Sequence, residues 1–146
     1  MQKIIVTGGL GFIGSNLISN LLSKKNILVI NIDKKTYSSN LYNVKEFKNY
    51  KNYKFIKCDI KNKKKISSII NNYKPKYIFN LAAETHVDRS IDDPSSFIES
   101  NIVGVYNLLE VIKKYYKKNK KIKLIHISTD EVYGDVSKGR SKETDA

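Results

Sequence analysis

Lys3-Ile4-Ile5-Val6-Thr7-Gly8-Gly9-Leu10-Gly11-Phe12-Ile13-Gly14-Ser15 is a β-branched run that breaks into glycines and restarts as a helix. Ile4, Ile5 and Val6 favour an extended backbone. Beyond the glycines, Phe12, Ile13, Leu17, Leu21 and Leu22 recur at helical spacing, with Asn16, Asn20 and Lys24 on another face. Gly9, Gly11 and Gly14 satisfy G-x-G-x-x-G, while Gly8, Gly11 and Gly14 satisfy G-x-x-G-x-x-G. The physical need is the same in both registers. Glycine permits the tight turn, lets the backbone approach a pyrophosphate, and lets the helix lie close on the strand. Amides at the helix N-terminus then face the phosphates. A second apolar run, Ile27 to Ile32, ends in Asp33, nineteen positions beyond Gly14. That spacing suits a carboxylate that accepts hydrogen bonds from adenosine ribose hydroxyls. Strand, glycine loop, helix, strand and acid in this order imply dinucleotide binding rather than an ordinary tight turn.

Working outward, the alternation continues. A third run, Tyr53 to Lys57, leads into Cys58-Asp59, and a lysine-rich helix follows with Ile66, Ile69, Ile70 and Tyr73 as its apolar stripe. Pro75 separates that helix from a fourth strand, Tyr77 to Leu81. Asp92-Asp93-Pro94 is a helix start, with Asp93 as N-cap and proline at the first helical position. The long helix after it carries Ile98, Ile102, Val105, Leu109, Ile112 and Tyr116 as its apolar face, and ends in the basic run Lys117 to Lys121. A fifth strand runs from Ile122 to Ile127, and residues 40 to 54 read as a loop with one irregular helix. The expected fold is α/β: a doubly wound parallel sheet, Rossmann-like and NAD-binding, with residues 1–146 as one domain. After Gly134 the chain turns polar with no sixth strand, where such a sheet usually continues, so a C-terminally truncated version is expected.

Composition narrows the class. A chain of 146 residues that is 40% hydrophobic can build a core, which excludes a disordered tail. Cys58 is the sole cysteine, so no disulfide closes within the chain. There is no signal-peptide pattern and no run of the roughly 20 apolar residues that span a bilayer. The expectation is a soluble cytoplasmic protein with no membrane partner and no metal site. The formal charge of +13 suggests nucleic acid or an anionic surface. Only Arg89 and Arg140 are arginines, however, against 25 lysines, and nucleic-acid readers favour arginine for bidentate contacts. The lysines travel with asparagine, isoleucine and tyrosine, the residues of A/T-rich codons, so a solvated surface and no nucleic-acid partner are expected.

Asp33 favours NAD, because a 2′-phosphate would face its charge, whereas Lys34 and Lys35 are placed to pair with such a phosphate. Asp59, after the third strand, reads either as a wall of the adenine site or as a turn. The fourth strand runs into Ala82-Ala83-Glu84-Thr85-His86, small residues beside the crevice followed by a polar cluster. His86 stands at the crevice edge, and His126, inside the fifth strand, reads as structural. Ser128-Thr129-Asp130-Glu131 ends the fifth strand with a hydroxyl and two carboxylates. Such a pair can divide into acid and base, or Asp130 can simply cap a turn.

These stretches together resemble the extended short-chain dehydrogenase/reductase family, through Thr7-Gly8-Gly9-Leu10-Gly11-Phe12-Ile13-Gly14 and Ser128-Thr129 before Val132-Tyr133-Gly134. Within it, the likeness is greatest to the 4,6-dehydratases that act on dTDP-glucose. It is carried by Asn31-Ile32-Asp33-Lys34 with Thr36-Tyr37, by the run from Leu81 to Ile91, by the run from Phe97 to Gly104, and by His126 to Asp135. The resemblance implies NAD as cofactor, dTDP-glucose as substrate and, at full length, a homodimer. It implies hydride removal from C4 of the glucosyl ring, water loss across C5–C6, and hydride return to C6. Glu131 would take the C5 proton, Asp130 would protonate the departing C6 hydroxyl, Thr129 would hydrogen-bond the C4 oxygen, and Thr85 would contact the sugar. Gly8, Gly11, Phe12, Ile13, Gly14, Asp33, Lys34, Lys35, Thr36, Asp59, Ile60, Leu81, Ala82, Ala83, Glu84, Thr85 and Ser100 would hold the cofactor. The family's oxidation step uses a Tyr-x-x-x-Lys pair after the Thr-Asp-Glu strand, and the seventeen residues beyond Thr129 contain none. Tyr50/Lys54, Tyr53/Lys57 and Tyr116/Lys120 have the spacing but precede the fifth strand. The chain is therefore expected to be the cofactor half of the enzyme, inactive alone. The alternatives are another sugar-nucleotide 4-epimerase or 4,6-dehydratase, a non-catalytic NAD-binding domain, and a basic nucleic-acid-binding domain.

Overall fold

Chain order and spatial order of the strands differ in the way a doubly wound sheet requires. In the computed structural model, which describes residues 1–119, 121–134 and 139–144, five parallel strands lie in the order β3-β2-β1-β4-β5. They are β1 Gln2–Thr7, β2 Ile27–Asp33, β3 Tyr53–Lys57, β4 Tyr77–Asn80 and β5 Lys123–His126. The helices are α1 Phe12–Leu22, α2 Lys63–Tyr73, α3 Val87–Asp92, α4 Pro94–Phe97 and α5 Val105–Asn119, with a π turn at Ile98–Gly104 leading into α5. Asp135 of the resemblance stretch and Lys120 of the Tyr116/Lys120 pair lie outside the described residues. Strand order reverses between β1 and β4, and ligands of such sheets bind in the crevice that opens there. Register brings Thr7 level with Ile32 and Asn80, and Asn80 level with His126, so several polar strand ends converge on that crevice.

Side chains alternate along each strand, and both faces are apolar. Ile5, Ile30, Ile32 and Ile78 point to the α2/α5 side with Ile66, Ile69, Ile70, Leu108, Val111 and Tyr115. Ile4, Val6 and Val29 point to the α1 side with Leu10, Ile18, Leu21 and Leu22. Burying each such side chain stabilises the fold by about 1.5–3 kcal/mol before ordering costs. Two 3₁₀ turns, Leu41–Val44 and Glu46–Asn49, occupy the stretch expected as a loop with one irregular helix. They bury Val44 and Phe47 on the α1 side, where Phe47 meets Tyr53 edge-on at 5.6 Å. Tyr53 also accepts a hydrogen bond from Asn31 Nδ2 at 2.9 Å. Burial, the largest influence, pushes the Tyr53 phenol up. Its engagement there leaves the Tyr53/Lys57 spacing a packing coincidence. Among the described residues, no helix is long and apolar enough to cross a membrane.

The α5 helix corrects one expectation. Ser100, Gly104, Leu108, Val111, Ile112 and Tyr115 face inward, whereas Ile98, Ile102, Leu109 and Tyr116 are 51%, 63%, 46% and 49% exposed. The inward stripe begins with a serine and a glycine because the helix lies tight against the loop after β3. A Cβ on Gly104 would sit 2.8 Å from Ile60 Cδ1. Close approach replaces bulk there, so counting hydrophobic residues selects the outer face. The π turn also shifts the angular phase that a 3.6-residue period assumes.

Candidate functional site

The glycine loop joins β1 to α1 at the crevice. Gly8 has φ +70°, and a Cβ there would meet Leu81 O at 2.6 Å. A Cβ on Gly9 would run into the Asn31 amide and Ile18, and one on Gly14 would collide with the Gly8 backbone. Three glycines are thus required by the protein's own packing. Gly11 is different: its backbone is ordinary and extended (φ −74°, ψ 173°), and a Cβ would meet only Gly8 O, at 3.3 Å. It lines the cleft, and apart from Gly8 O no atom of the neighbouring residues restricts a side chain there. As N-cap, Gly11 offers no side-chain cap, and no acidic residue stands in the first turn. The first-turn amides, which a helix cannot satisfy internally, are left to an anion.

Asp33, at the end of β2, ties this loop to the next. Its Oδ2 accepts from Leu10 N at 3.0 Å, and its Oδ1 from Lys35 N at 2.8 Å and Ser39 Oγ at 2.9 Å. A carboxylate has about four lone-pair sites, so the acid is fixed in place with acceptor capacity left for ribose hydroxyls. Thr36, Ser38 and Ser39 add hydroxyls to the same wall. Asp59 fills both roles weighed for it: Oδ1 accepts from Lys61 N at 2.9 Å in a turn, and the residue borders the cleft beside Ile60. Cys58 borders it too, but burial pushes its thiol pKa up and keeps it protonated.

On the far side, Leu81, Ala82, Ala83 and Thr85 form the wall after β4. Its start is pinned by a chain of side chains across three strands. Thr7 Oγ1 donates to Asn80 Oδ1 at 2.5 Å, and Asn80 Nδ2 lies 2.9 Å from His126 Nδ1. His126 therefore has a structural partner. The end of the wall is pinned by Asn101, whose Oδ1 accepts from Glu84 N and whose Nδ2 donates to Glu84 O, both at 2.9 Å. His86 lies outside the cleft at its rim, its ring 5.6 Å from that of Tyr37. Glu84 and Lys35 do not border the cleft: the Glu84 carboxylate pairs with Lys34, and the Lys35 ammonium sits 5.3 Å over the Phe55 ring.

Ile127, Ser128 and Thr129 carry the wall on from β5. Asp130–Tyr133 then form an exposed 3₁₀ turn with Thr129, not Asp130, in the N-cap position. The reading of Asp130 as the turn's cap is thereby corrected. The Thr129 hydroxyl, with the Glu131 amide second, holds the Glu131 carboxyl below its usual range. Glu131 is ionised at neutral pH, the form that accepts a proton.

The cleft these walls enclose measures about 470 Å³, within the roughly 300–1,000 Å³ of small-molecule sites. Its chemistry fits a dinucleotide from one end to the other: a carboxylate and hydroxyls for a ribose, free helix amides beside an open glycine for phosphates, and alanines on the opposite wall. Sequence reading missed Ser38, Ser39, Thr7 and Asn80. Only the polar density after Asp33 signalled the two serines, while Thr7 and Asn80 read as ordinary strand ends.

The GDP-mannose 4,6 dehydratase family matches residues 5–146. The chain belongs to that family. A dTDP-glucose 4,6-dehydratase of Salmonella typhimurium is 45% identical over 140 residues, covering 92% of this chain and 39% of that protein. The crystal structure of dTDP-glucose 4,6-dehydratase from Bacillus anthracis in complex with NAD superposes with a TM-score of 0.85 at 40% identity, covering 100% of this chain and 44% of that one. A UDP-glucose 4-epimerase of Thermus thermophilus, also in complex with NAD, gives 0.80 at 30% identity over 98% of this chain and 43% of its own. Against the Salmonella relative the chain spans 39% of the length, so the 4,6-dehydratase-family match here is to a sheet and crevice rather than to a whole relative.

Proposed function

We propose that this chain is the NAD-binding part of an enzyme that dehydrates dTDP-glucose to dTDP-4-keto-6-deoxy-glucose. The observation that carries the reading is Thr129-Asp130-Glu131 at the end of β5, with Thr129 on the cleft wall and two carboxylates just beyond it. When bound, NAD would supply reversible hydride removal, first at C4 and then in reverse at C6. Gly11 and the α1 amides would hold its pyrophosphate, Asp33 its adenosine ribose, and Asp59 and Ile60 its adenine. Thr129 would hydrogen-bond the C4 oxygen, Thr85 would contact the sugar, Glu131 would accept the C5 proton, and Asp130 would give its proton to the departing C6 hydroxyl. Each acid or base of this kind contributes about 10²–10⁴-fold. An enzyme of such soluble substrates belongs in the cytoplasm.

Likeness to a UDP-glucose 4-epimerase supports a second reading, in which the sugar is only inverted at C4. Inversion needs no acid and base at C5 and C6, so the adjacent carboxylates favour dehydration. With the protein at its relatives' length, dTDP-glucose should give a 4-keto-6-deoxy sugar, read by mass spectrometry as loss of water. Recovery of a C4 epimer of unchanged mass would replace the dehydratase reading with the epimerase one.

We also propose that, at its relatives' full length, the protein pairs with a second copy across the outer face of α5. Ile98, Ile102, Leu109 and Tyr116 form an exposed apolar stripe, and a helix apolar on two faces favours burial of both. A self-complementary helix face suits a two-fold dimer. Sedimentation should show a dimer that Ile102→Glu converts to a monomer while NAD binding persists. A monomer without the substitution would show that the face is covered within one chain instead.

A further inference from the structure

We propose that Glu84 sets the preference for NAD over NADP by withholding Lys34 from the adenosine ribose. The inference rests on the dinucleotide reading of the cleft. Lys34 and Lys35 directly follow Asp33, where a 2′-phosphate would lie, and a cation there is what accommodates that phosphate. Lys34 borders the cleft together with Ser100, whereas Lys35 does not, and each ammonium is engaged elsewhere than at Asp33. Lys34 Nζ pairs with Glu84 Oε1 at 2.8 Å and donates to Ser100 Oγ at 2.8 Å. Lys35 has a left-handed backbone, φ +62°, and its ammonium lies over Phe55 of β3. Asp33 is left to face the ribose position with no lysine ammonium bonded to its carboxylate, an arrangement that repels a 2′-phosphate.

Of the two diversions, the one at Lys34 is built more firmly. Glu84 is 8% exposed, and its backbone is bracketed on both sides by Asn101, so its carboxylate cannot follow a moving lysine. Ser100, 5% exposed on the π turn, provides a second fixed anchor. The Lys35 contact is a single cation–π approach on an edge strand, of a kind worth little at exposed sites. Removing the Glu84 charge frees Lys34, whose four-carbon stem lets it swing to a phosphate held beside Asp33.

The test is calorimetric affinity for NAD and for NADP, measured on the purified protein and on Glu84→Gln, Lys34→Met and the double variant. Gln keeps the volume and removes the charge. Glu84→Gln should shift the NADP-to-NAD affinity ratio toward NADP by about ten- to a hundredfold, the worth of one charge-assisted hydrogen bond. The double variant should lose that gain, which separates a freed Lys34 from a general change in local charge. An unchanged ratio in a Glu84→Gln protein that still binds NAD, or a gain that survives in the double variant, overturns the proposal and leaves the NAD reading standing. Binding of neither dinucleotide by the unsubstituted protein overturns both. If Glu84→Gln does not fold, lysine acetylation of the unsubstituted protein decides. Lys34 should react far more slowly than exposed Lys113, and equal rates would show that Glu84 does not hold it.

Discussion

Gly11→Val should abolish NAD binding while leaving the fold intact. The two halves of that expectation come from separate observations. An extended backbone is one that valine adopts readily, and a Cβ at this position touches only Gly8 O, at 3.3 Å. The residue is the N-cap of α1 rather than part of its interior, so no helix propensity is lost. Its side chain would nonetheless stand in the cleft, in front of the first-turn amides of α1. Overpacking costs about 1–3 kcal/mol and forfeiting a helix-terminus anion site up to about 2 kcal/mol, together a fall in affinity of roughly a hundredfold or more. Calorimetry with NAD, alongside circular dichroism and a melting curve, reads both halves. Equal affinities in two folded proteins would mean that phosphate does not sit at this loop. Gly14 cannot serve for this test, because a Cβ there collides with the Gly8 backbone and would confuse folding with binding.

The contrast between Gly11 and Gly14 also shows what a sequence conveys and what it withholds. The pattern announces that glycine is needed at both positions, but only packing reveals that Gly14 is required by the protein's own backbone, whereas Gly11 meets only Gly8 O and borders the cleft. The inner strands were legible for a simple reason: β1 and β2 are buried on both faces and read as apolar runs, whereas the edge strands β3 and β5 are half-exposed and show only as short apolar stretches among lysines. The phase of the π turn and α5 was not legible, because Gly104 takes its inward place by being small where the turn meets Ile60, and Ser100 takes its own beside Lys34. Glu84 stands among the expected cofactor residues through the family resemblance alone. Its pairing with Lys34, fifty residues earlier in the chain, is a tertiary fact with no local signature. Asn31 is similar: it lies fully buried in the middle of an apolar strand, where periodicity predicts a hydrophobic residue. Its amide oxygen fills the place a Cβ on Gly9 would take and its Nδ2 donates to Tyr53, so one polar residue in the core keeps position 9 a glycine.

On the proposed mechanism Asp130 and Glu131 serve the elimination and not the oxidation, so the pair should be silenced without touching the first step. Asp130→Asn with Glu131→Gln keeps size and most hydrogen bonding while removing both the acid and the base. The turn they occupy is exposed, with Thr129 at its N-cap position, so neither carboxylate supports the core, and the fold should survive. The substitution is to be made in a protein at the relatives' full length and given dTDP-glucose. The C4 hydroxyl should still lose its proton, to the tyrosine of the Tyr-x-x-x-Lys pair that the resemblance implies at full length, and the C4 carbon its hydride, to bound NAD, with Thr129 remaining to orient the oxygen. Reduced nicotinamide absorbance should then rise and persist. With no base at C5 and no acid at the C6 hydroxyl, water should leave some 10⁴-fold or more slowly, from two groups each contributing about 10²–10⁴-fold. Glu131→Gln alone should reveal the base, and the wild-type pH profile should agree with it. Because Thr129 holds the Glu131 carboxyl below its usual range, the base form persists as pH falls, and activity tied to it should decline only below the ordinary carboxylate range. Thr129→Val, which removes that hydroxyl, should move the decline to higher pH as well as slowing oxidation. Turnover at the wild-type rate in the double variant would mean that the carboxylates take no part in the chemistry, and that the Thr129-Asp130-Glu131 turn is only the surface end of β5.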